Sequence, residues 1–433
     1  MFAAALVALL IAAPSQAKEC KKDVEFALKE LDKQCGHFFK TKGISWPKVR
    51  KEMLKGAKQV KNDQDEYMLL VRLIARLRDG HAAVRIEPAA QGAKWPDQGE
   101  RRGPAVFFTV VEGKRVVIKN SWGDAEKAGV TPGMEVMQID GEPALKWLTA
   151  KELEIADLWS FSTDQQRRFF TCHWGLAGPT TSRLKLELRR PDGKRKKATL
   201  ARTSKSYVPW GPVFFPNAKE LKRIGRQSYG KTENGYGYIH LRDTKGELPN
   251  QIDTALAALG DVPGLILDCR ANGGGGCDHD AVFGRFVPTG KTLSFGKKYA
   301  SQGPKQYSGP MVVIVDAGVR SAGETISGMF KEDGRALMIG PQPTAGMSSS
   351  KTTIALPSKK FSLYVSVHSN KARFNGGKGI EGIGVPPHEF VDYDPKELAE
   401  GVDTMIRRAE ELLAEGSWRQ VPYKPERFGW KKP

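Results

Sequence analysis

The sequence predicts an α/β core with a largely parallel sheet, preceded by a helical N-terminal region and a β-rich middle region. Three observations carry that prediction. Residues 18–90 place apolar side chains three to four apart, with no β alternation before "AAVRI". Residues 101–150 change to short apolar runs separated by Glu-Gly, Pro-Gly and Asp-Gly turns. From about residue 235, apolar runs such as "LILD" and "MVVIV" alternate with helical patterns, as strands covered on both faces do.

The elements follow in order. "MFAAALVALLIAAPSQA" (1–17) is too short, and too soon followed by charge, for a membrane span. Its apolar core and Ser15-Gln16-Ala17 site read as a signal peptide. Export to the periplasm or the outside is therefore expected, with a mature chain from Lys18 and no stable membrane span. A buried N-terminal helix is the alternative. "DEYMLLVRLIARLRDGH" is a helix stopping at Asp79-Gly80. "GPAVFFTVVEGKRVVIKN" gives two strands about a Glu-Gly turn. "GDAEKAGVTPGMEVMQIDGEPA" gives a small helix ending at Gly129, a turn, a strand and a second turn. Beyond 235, "YGYIHLRD" is a strand and "NQIDTALAALG" a helix. "VPGLILDCR" is a strand ending in "ANGGGG", "MVVIVDA" a strand before the helix at Ser321, and "FSLYVSV" a further strand. "PKELAEGVDTMIRRAEELLAE" reads as one closing amphipathic helix. The basic aromatic stretch at 416–433 is expected to pack on the surface.

The 433 residues suffice for two or three domains. The formal charge is +19, none of it from residues 1–17, and such a field attracts anionic envelope polymers, lipid surfaces or acidic polypeptides. "RRPDGKRKK" (189–197) lacks interleaved aromatics and carries Pro-Asp-Gly, so a solvated hairpin is expected there and no nucleic-acid partner. Of five cysteines, Cys20 with Cys35 and Cys269 with Cys277 are candidate pairs, and Cys172 is left over. No spacing suggests a zinc site, and neither metal nor cofactor is expected.

Sites of α/β sheets gather beyond the carboxyl ends of the strands. Two such ends stand out, "LILDCRANGGGG" and "VIVDAGVRSAGE". The glycines after Asn272 let backbone N–H groups approach a ligand, which suits an oxyanion. They lack the G-K-[ST] ending of a phosphate loop. Ser321 and Glu324 form an S-x-x-E capping box, yet the same serine sits at the positive end of a helix. Capping and catalysis thus compete for one hydroxyl. A serine nucleophile needs a base. Of His37, His81, His173, His240, His279, His368 and His388, His81 stands out on the turn of "RDGHAAV". Spacing alone cannot join it to Ser321.

Three stretches together resemble one family. "GDAEKAGVTPGMEVMQIDG" is similar to a PDZ domain of the permuted bacterial type. "GYGYIHLRD…LILDCRANGGGG" and "VVIVDAGVRSAGETISG…RALMIGPQPTAG" are similar to the core of C-terminal processing (tail-specific) serine proteases. The resemblance covers roughly residues 65–415. It implies a ClpP/crotonase-like sheet with helices, a helical domain at 18–100, a PDZ domain and flanking segment at 101–205, and the protease core at 206–415. It also implies Ser321 as nucleophile and Gly274 with Ala322 as the oxyanion hole. Tail-specific proteases use a lysine soon after a T-x-G stretch. Here "PTAGMSSSK" offers Lys351, outside the usual register. The branch of the tricorn core and interphotoreceptor retinoid-binding protein carries D-G-H and I-E-x-x-G-V-x-P-D motifs. "DGHA" (79–82) and "IEGIGVPPH" (380–388) resemble these and imply His81 as base with Glu381. Two positions depart from that branch: Gly80 replaces a serine, and His388 an aspartate.

The resemblance implies an exported serine endopeptidase acting on unfolded or C-terminally recognised polypeptides, with peptide held near Gly103, Pro104, Ala105 and Val106. A catalytically inactive PDZ-containing binding protein, or a Ser–Lys dyad using Lys351, are the alternatives.

Overall fold

The computed structural model describes residues 5–416, apart from 91, 97–98, 206–208, 218, 288–291, 295–297 and 370–372; the side chains of 5–15, 292–294, 298–299 and 369 are not described. The stretch from 417 on, expected to pack on the surface, and residues 1–4 of the expected signal peptide therefore lie outside the described residues. The chain divides into two compact units. One comprises 1–98, 153–163 and 349–369, and the other 99–152, 164–348 and 370–433.

The first unit is the helical region expected from the sequence, completed by a distant hairpin. Helices Ala5–Cys35, Trp46–Ala57 and Asp63–Arg76 carry the apolar spacing read above. Asn62 caps the third, its Oδ1 accepting the Asp65 N–H at 2.9 Å, and three acidic residues occupy its first turn. A three-stranded antiparallel sheet follows the order Ala83–Ile86, Phe361–Ser369, Ser349–Ala355. Leu28, Met53, Leu70 and Leu73 from the helices are buried with Phe361, Leu363 and Val365 from the hairpin. "FSLYVSV" is thus a strand, but not of the core sheet to which its sequence position assigned it. Its buried side chains cluster with those of the helices.

Cys20 and Cys35 lie on one helix, fifteen residues and about 22 Å apart, which no disulfide spans. All five cysteines are thiols, and the expected pairs do not form. Burial pushes the Cys172 thiol up to about 12 and the Cys277 thiol up to about 11. No described helix is long and apolar enough to cross a membrane.

The second unit holds two sheets. The first is antiparallel, in the order Val106–Val111, Arg115–Ser121, Glu135–Ile139, Arg183–Arg189, Arg195–Ala201, with Glu142–Pro143 beside Glu135–Ile139. Glu112 and Gly113 both take positive φ at the first turn, 52° and 69°, the geometry of a tight hairpin. The basic run 189–197 is the hairpin expected, pairing Arg189 with Arg195. The second sheet has seven strands, ordered Lys222–Ile224, Gln227–Lys231, Gly237–His240, Leu265–Asp268, Met311–Ile314, Leu337–Gly340, Glu389–Phe390. From the third strand onward all pairs are parallel.

The central parallel strands are mostly apolar because both faces are covered. Leu265, Leu267, Met311 and Val313 pack against helices Leu248–Leu259 and Ala322–Glu332. Ile266, Val312, Ile314 and Ile339 pack against Thr404–Glu415. The closing helix expected from the sequence is two helices, Pro395–Ala399 and Thr404–Glu415. Gly401 at φ 81° breaks the run, and Asp403 caps the second helix through the N–H groups of Met405 and Ile406. Asp403 has a second task. The fully buried Arg270 pairs with Asp268 at 2.6 Å and with Asp403 at 2.9 Å. Paired on both sides, that guanidinium is tolerated in the interior.

Candidate active site

Strands Leu265–Asp268 and Met311–Ile314 pair in register, Asp268 beside Ile314, so their following loops emerge together. Asp316 ties the two loops. Its Oδ1 accepts the N–H of Ala271 from one and of Gly318 from the other, both at 2.9 Å. Ala271 and Ser321 each take a positive φ, 54° and 55°, uncommon for residues with a Cβ.

Ser321 differs from the ordinary caps of this protein. Asn62, Asp278, Asp394 and Asp403 cap their helices from negative φ, each accepting backbone N–H groups through the side chain. Ser321 precedes its helix at φ 55°, ψ −126°, its hydroxyl near the third residue of the helix without making a cap hydrogen bond. A strained strand-to-helix turn of this sort holds a serine out at the end of a sheet. The Ala322 N–H, first of the helix, has no carbonyl to meet within it.

Gly274 lies directly against Ser321. A Cβ built on it would stand 2.8 Å from Ser321 Cβ and 2.7 Å from the Arg320 carbonyl oxygen, and its φ is 77°. Only glycine admits this approach. The structure thus brings Ser321, Gly274 and Ala322 together. The Gly274 N–H, however, donates to Asn272 Oδ1 at 2.9 Å. Asn272 is itself fixed, its Nδ2 donating to the Leu241 carbonyl at 2.8 Å.

Glu324 does far more than complete a capping box. Its Oε2 accepts the N–H of Ser321 at 3.2 Å and of Met347 at 2.8 Å. Its Oε1 accepts the Thr344 hydroxyl at 2.6 Å and the Gly346 N–H at 2.7 Å. This fully buried carboxyl therefore fastens the 344–347 loop to the Ser321 turn, and the Ser321 N–H also donates to the Met347 carbonyl at 2.8 Å. Burial pushes Glu324 up to about 8, hydrogen bonds from Thr344, Gly346 and Met347 pull it down, and the neighbouring Glu381 pushes it up again. Glu381 is buried too, and the next residue, Gly382, donates its N–H to the Gly346 carbonyl at 2.8 Å. Glu381 thus borders the same loop.

Helix Asp164–Cys172, which the sequence did not single out, braces these loops. Gln165 Nε2 donates to the carbonyls of Thr344 and Ile383, and Gln166 Nε2 lies 3.2 Å from Met347 Sδ. Phe169 packs on Gly318, where a Cβ would come within 2.5 Å of its ring. These residues have no sequence signal, because their roles arise from tertiary contact.

His81 belongs to the first unit, as does Lys351 on strand Ser349–Ala355. The His81 turn is pinned within that unit. Its N–H donates to Asp79 Oδ1 at 3.0 Å, and Asp79 accepts the Ser366 N–H and hydroxyl at 2.7 and 2.9 Å. The Gly80 N–H donates to Ser162 Oγ at 2.9 Å and the Asp79 N–H to Ser160 Oγ at 2.8 Å. Serines thus surround the turn although Gly80 itself has no hydroxyl. His388 accepts the Met338 N–H through Nδ1 at 2.9 Å, so it joins the strands at the sheet edge. Gly103, Pro104, Ala105 and Val106 are all buried. Gly103 exchanges backbone hydrogen bonds with Ser204, and the Ala105 carbonyl accepts from Trp122. Within the stretch expected to hold a peptide, the Gly103 N–H is therefore already used.

Residues 235–391 match the model of peptidase family S41. The chain is 27% identical to the chloroplastic C-terminal processing peptidase of Tetradesmus obliquus, over 84% of this chain and 75% of that protein. It is 24% identical to the carboxy-terminal-processing protease of Bartonella bacilliformis, over 77% and 71%. Among solved structures, mature CPAF complexed with lactacystin matches with a TM-score of 0.64 at 14% identity, covering 94% of this chain and 99% of that one. That likeness is one of fold.

Proposed function

We propose that this chain, a serine-type peptidase with the S41 core at residues 235–391, is an exported endopeptidase that cleaves polypeptides with Ser321 as nucleophile. The observation that carries the reading is the backbone of Ser321. A helix cap has no need of φ 55°, ψ −126°, whereas a nucleophile presented at the end of a sheet does.

His81 is the base and Glu381 the carboxylate of the arrangement. His81 removes the Ser321 hydroxyl proton as the oxygen attacks the peptide carbonyl carbon. The negative charge that develops on the carbonyl oxygen is met by the Ala322 N–H, at the positive end of the helix, and by Gly274 once its N–H leaves Asn272. The proton passes to the departing amine as the C–N bond breaks. Water, deprotonated by the same imidazole, then hydrolyses the acyl ester and restores Ser321.

The antiparallel sheet acts as a PDZ-type module. Its strand Val106–Val111 is first in the sheet order, the position from which a peptide strand can be added. Helix Asp164–Cys172 packs beside that strand and braces the loops at Ser321, so peptide capture and the site share one element. Export rests on the apolar stretch at 1–17 and its Ser-Gln-Ala end.

The test is mass spectrometry of casein and of C-terminal peptides after incubation with the protein. The wild type yields fragments and Ser321→Ala none; fragments from both overturn the assignment.

A further inference from the structure

A cavity of about 530 Å³ lies at the carboxyl end of strand Gly237–His240, lined by Trp210, Phe215, Ser228 and His240 and by Arg223, Arg226 and Arg242. That is the size of a small-ligand or side-chain site. His240 projects to the sheet face that carries Tyr238, away from Ile239 and Leu241, which pack with the Ser321 helix.

Its charges are out of balance. Arg223 has no ion-pair partner among the described residues, and Arg226 reaches only Asp243, at 3.7 Å. Asp243 is shared with Lys245 at 3.8 Å. Arg242 spends its guanidinium on the carbonyls of Pro209 and Ala271, with no carboxylate. Burial first, then Arg226 and Arg320, hold Arg242 below the usual arginine range, while Asp316 and Asp243 oppose the shift. Ser228 supplies the second observation. It is 5% exposed, lines the cavity, and its hydroxyl has no hydrogen-bond partner among the described residues. His240, which also lines it, uses Nε2 on the Arg270 carbonyl at 3.0 Å and presents its other face to Phe215.

The cavity adjoins the glycine loop. The Arg242 carbonyl accepts the Gly273 N–H at 3.2 Å, and the Thr244 N–H donates to the Gly274 carbonyl at 3.1 Å. Arg320, the residue before Ser321, donates Nε to the Gly273 carbonyl at 3.3 Å. A row of arginines therefore runs from the cavity to the nucleophile.

We propose that this cavity binds a carboxylate of the polypeptide being cut, held by Arg223 and Arg226 with the Ser228 hydroxyl beneath, so that acidic segments near the scissile bond are selected. The assignment deepens the peptidase reading and rests on it. Trp210 and Phe215 beside the arginines suit one side chain or chain terminus of a peptide, rather than the extended surface of a membrane.

The test uses full-length Ser321→Ala protein and fluorescence anisotropy, so that binding is read without turnover. Three labelled peptides separate the sources of the carboxylate: a glutamate-containing peptide with an amidated C-terminus, its glutamine counterpart with the same amide, and the glutamine peptide with a free C-terminus. One of the two carboxylate-bearing peptides binds about tenfold more tightly than the uncharged one, and raised salt weakens the difference. Arg223→Ala/Arg226→Ala removes the preference, and Arg223→Lys/Arg226→Lys keeps part of it, which separates lost charge from a misfolded site. Equal affinity for all three peptides overturns the proposal. So does a preference that survives Arg223→Ala/Arg226→Ala, since the overall positive charge would then be its source. So does capture of phosphatidylglycerol vesicles through the same arginines without peptide preference. Cleavage by Ser321→Ala would sink the nucleophile assignment while leaving the binding result standing.

Discussion

The carboxyl of Glu324 accepts the Ser321 N–H at 3.2 Å with one oxygen and the Gly346 N–H at 2.7 Å with the other. One buried side chain thereby sets both the Ser321 turn and the loop that borders Glu381. Glu324→Gln replaces two of four acceptor positions with an N–H₂ group facing donors. Each donor left unsatisfied destabilises by about 1–3 kcal/mol. A melting temperature lowered by several degrees, with peptidase turnover reduced at least tenfold in the folded fraction, is expected; calorimetry and a fluorogenic peptide assay check both.

Ser321→Gly separates strain from chemistry. Glycine accepts φ 55°, ψ −126° freely, and relief of that strain is worth roughly 1–3 kcal/mol. Both Ser321→Gly and Ser321→Ala lose turnover, but Ser321→Gly melts higher than Ser321→Ala. The reverse order would mean that the serine conformation is not strained.

Gly274→Ala tests the approach of the glycine loop. Its Cβ would meet Ser321 Cβ at 2.8 Å, at a φ of 77°. Turnover is expected to fall at least a hundredfold, and stability by more than ~1 kcal/mol, read by steady-state kinetics and chemical denaturation.

The base is assigned by pH and by substitution. An imidazole near its ordinary pKa of ~6.5 gives turnover that rises through neutrality, whereas a lysine starts from ~10.4. His81→Ala is expected to abolish turnover and Lys351→Ala to spare it. Turnover retained in His81→Ala and lost in Lys351→Ala would establish the dyad in its place.

Stability should fall on the alkaline side. Burial pushes Asp333 up to about 8, against the pull of Arg373, and neither of its carboxylate oxygens has a hydrogen bond. A carboxyl whose folded pKa exceeds its unfolded value contributes stability fully below the unfolded value and loses it as pH rises through the folded one. Asp333 and Glu324 both behave so, and the melting temperature is expected to drop between pH 5 and pH 8.5. Asp333→Asn flattens that drop, ending at least ~2 °C above wild type at pH 8.5 and close to it at pH 5. A wild-type melting temperature that climbs across this range would contradict the assignment.

The core strands were legible because burial on both faces writes continuous apolar runs, as in Leu265–Asp268 and Met311–Ile314. The turns were legible because Glu112-Gly113 and Asp140-Gly141 need positive φ. The two strand ends drew attention to the loops after Asp268 and before Ser321, and the family resemblance singled out Ser321, Gly274 and Ala322 within them. The membership of 349–369 in the first unit was not legible, since alternation marks a strand without naming its partner. The break at Gly401 was missed because the amphipathic pattern runs across it. The wider role of Glu324 was hidden, because S-x-x-E predicts only the contact back to Ser321 and says nothing of Thr344, Gly346 or Met347.

The pairing of Arg270 with Asp403 has a consequence for biosynthesis. The floor under the glycine loop is closed by a residue emerging from the ribosome some 130 positions after the arginine it neutralises. Until translation has passed that point, the arginine lacks half its counter-charge and the loop above it lacks its seat. A chain that stops short of Asp403 therefore leaves a buried guanidinium half-paired.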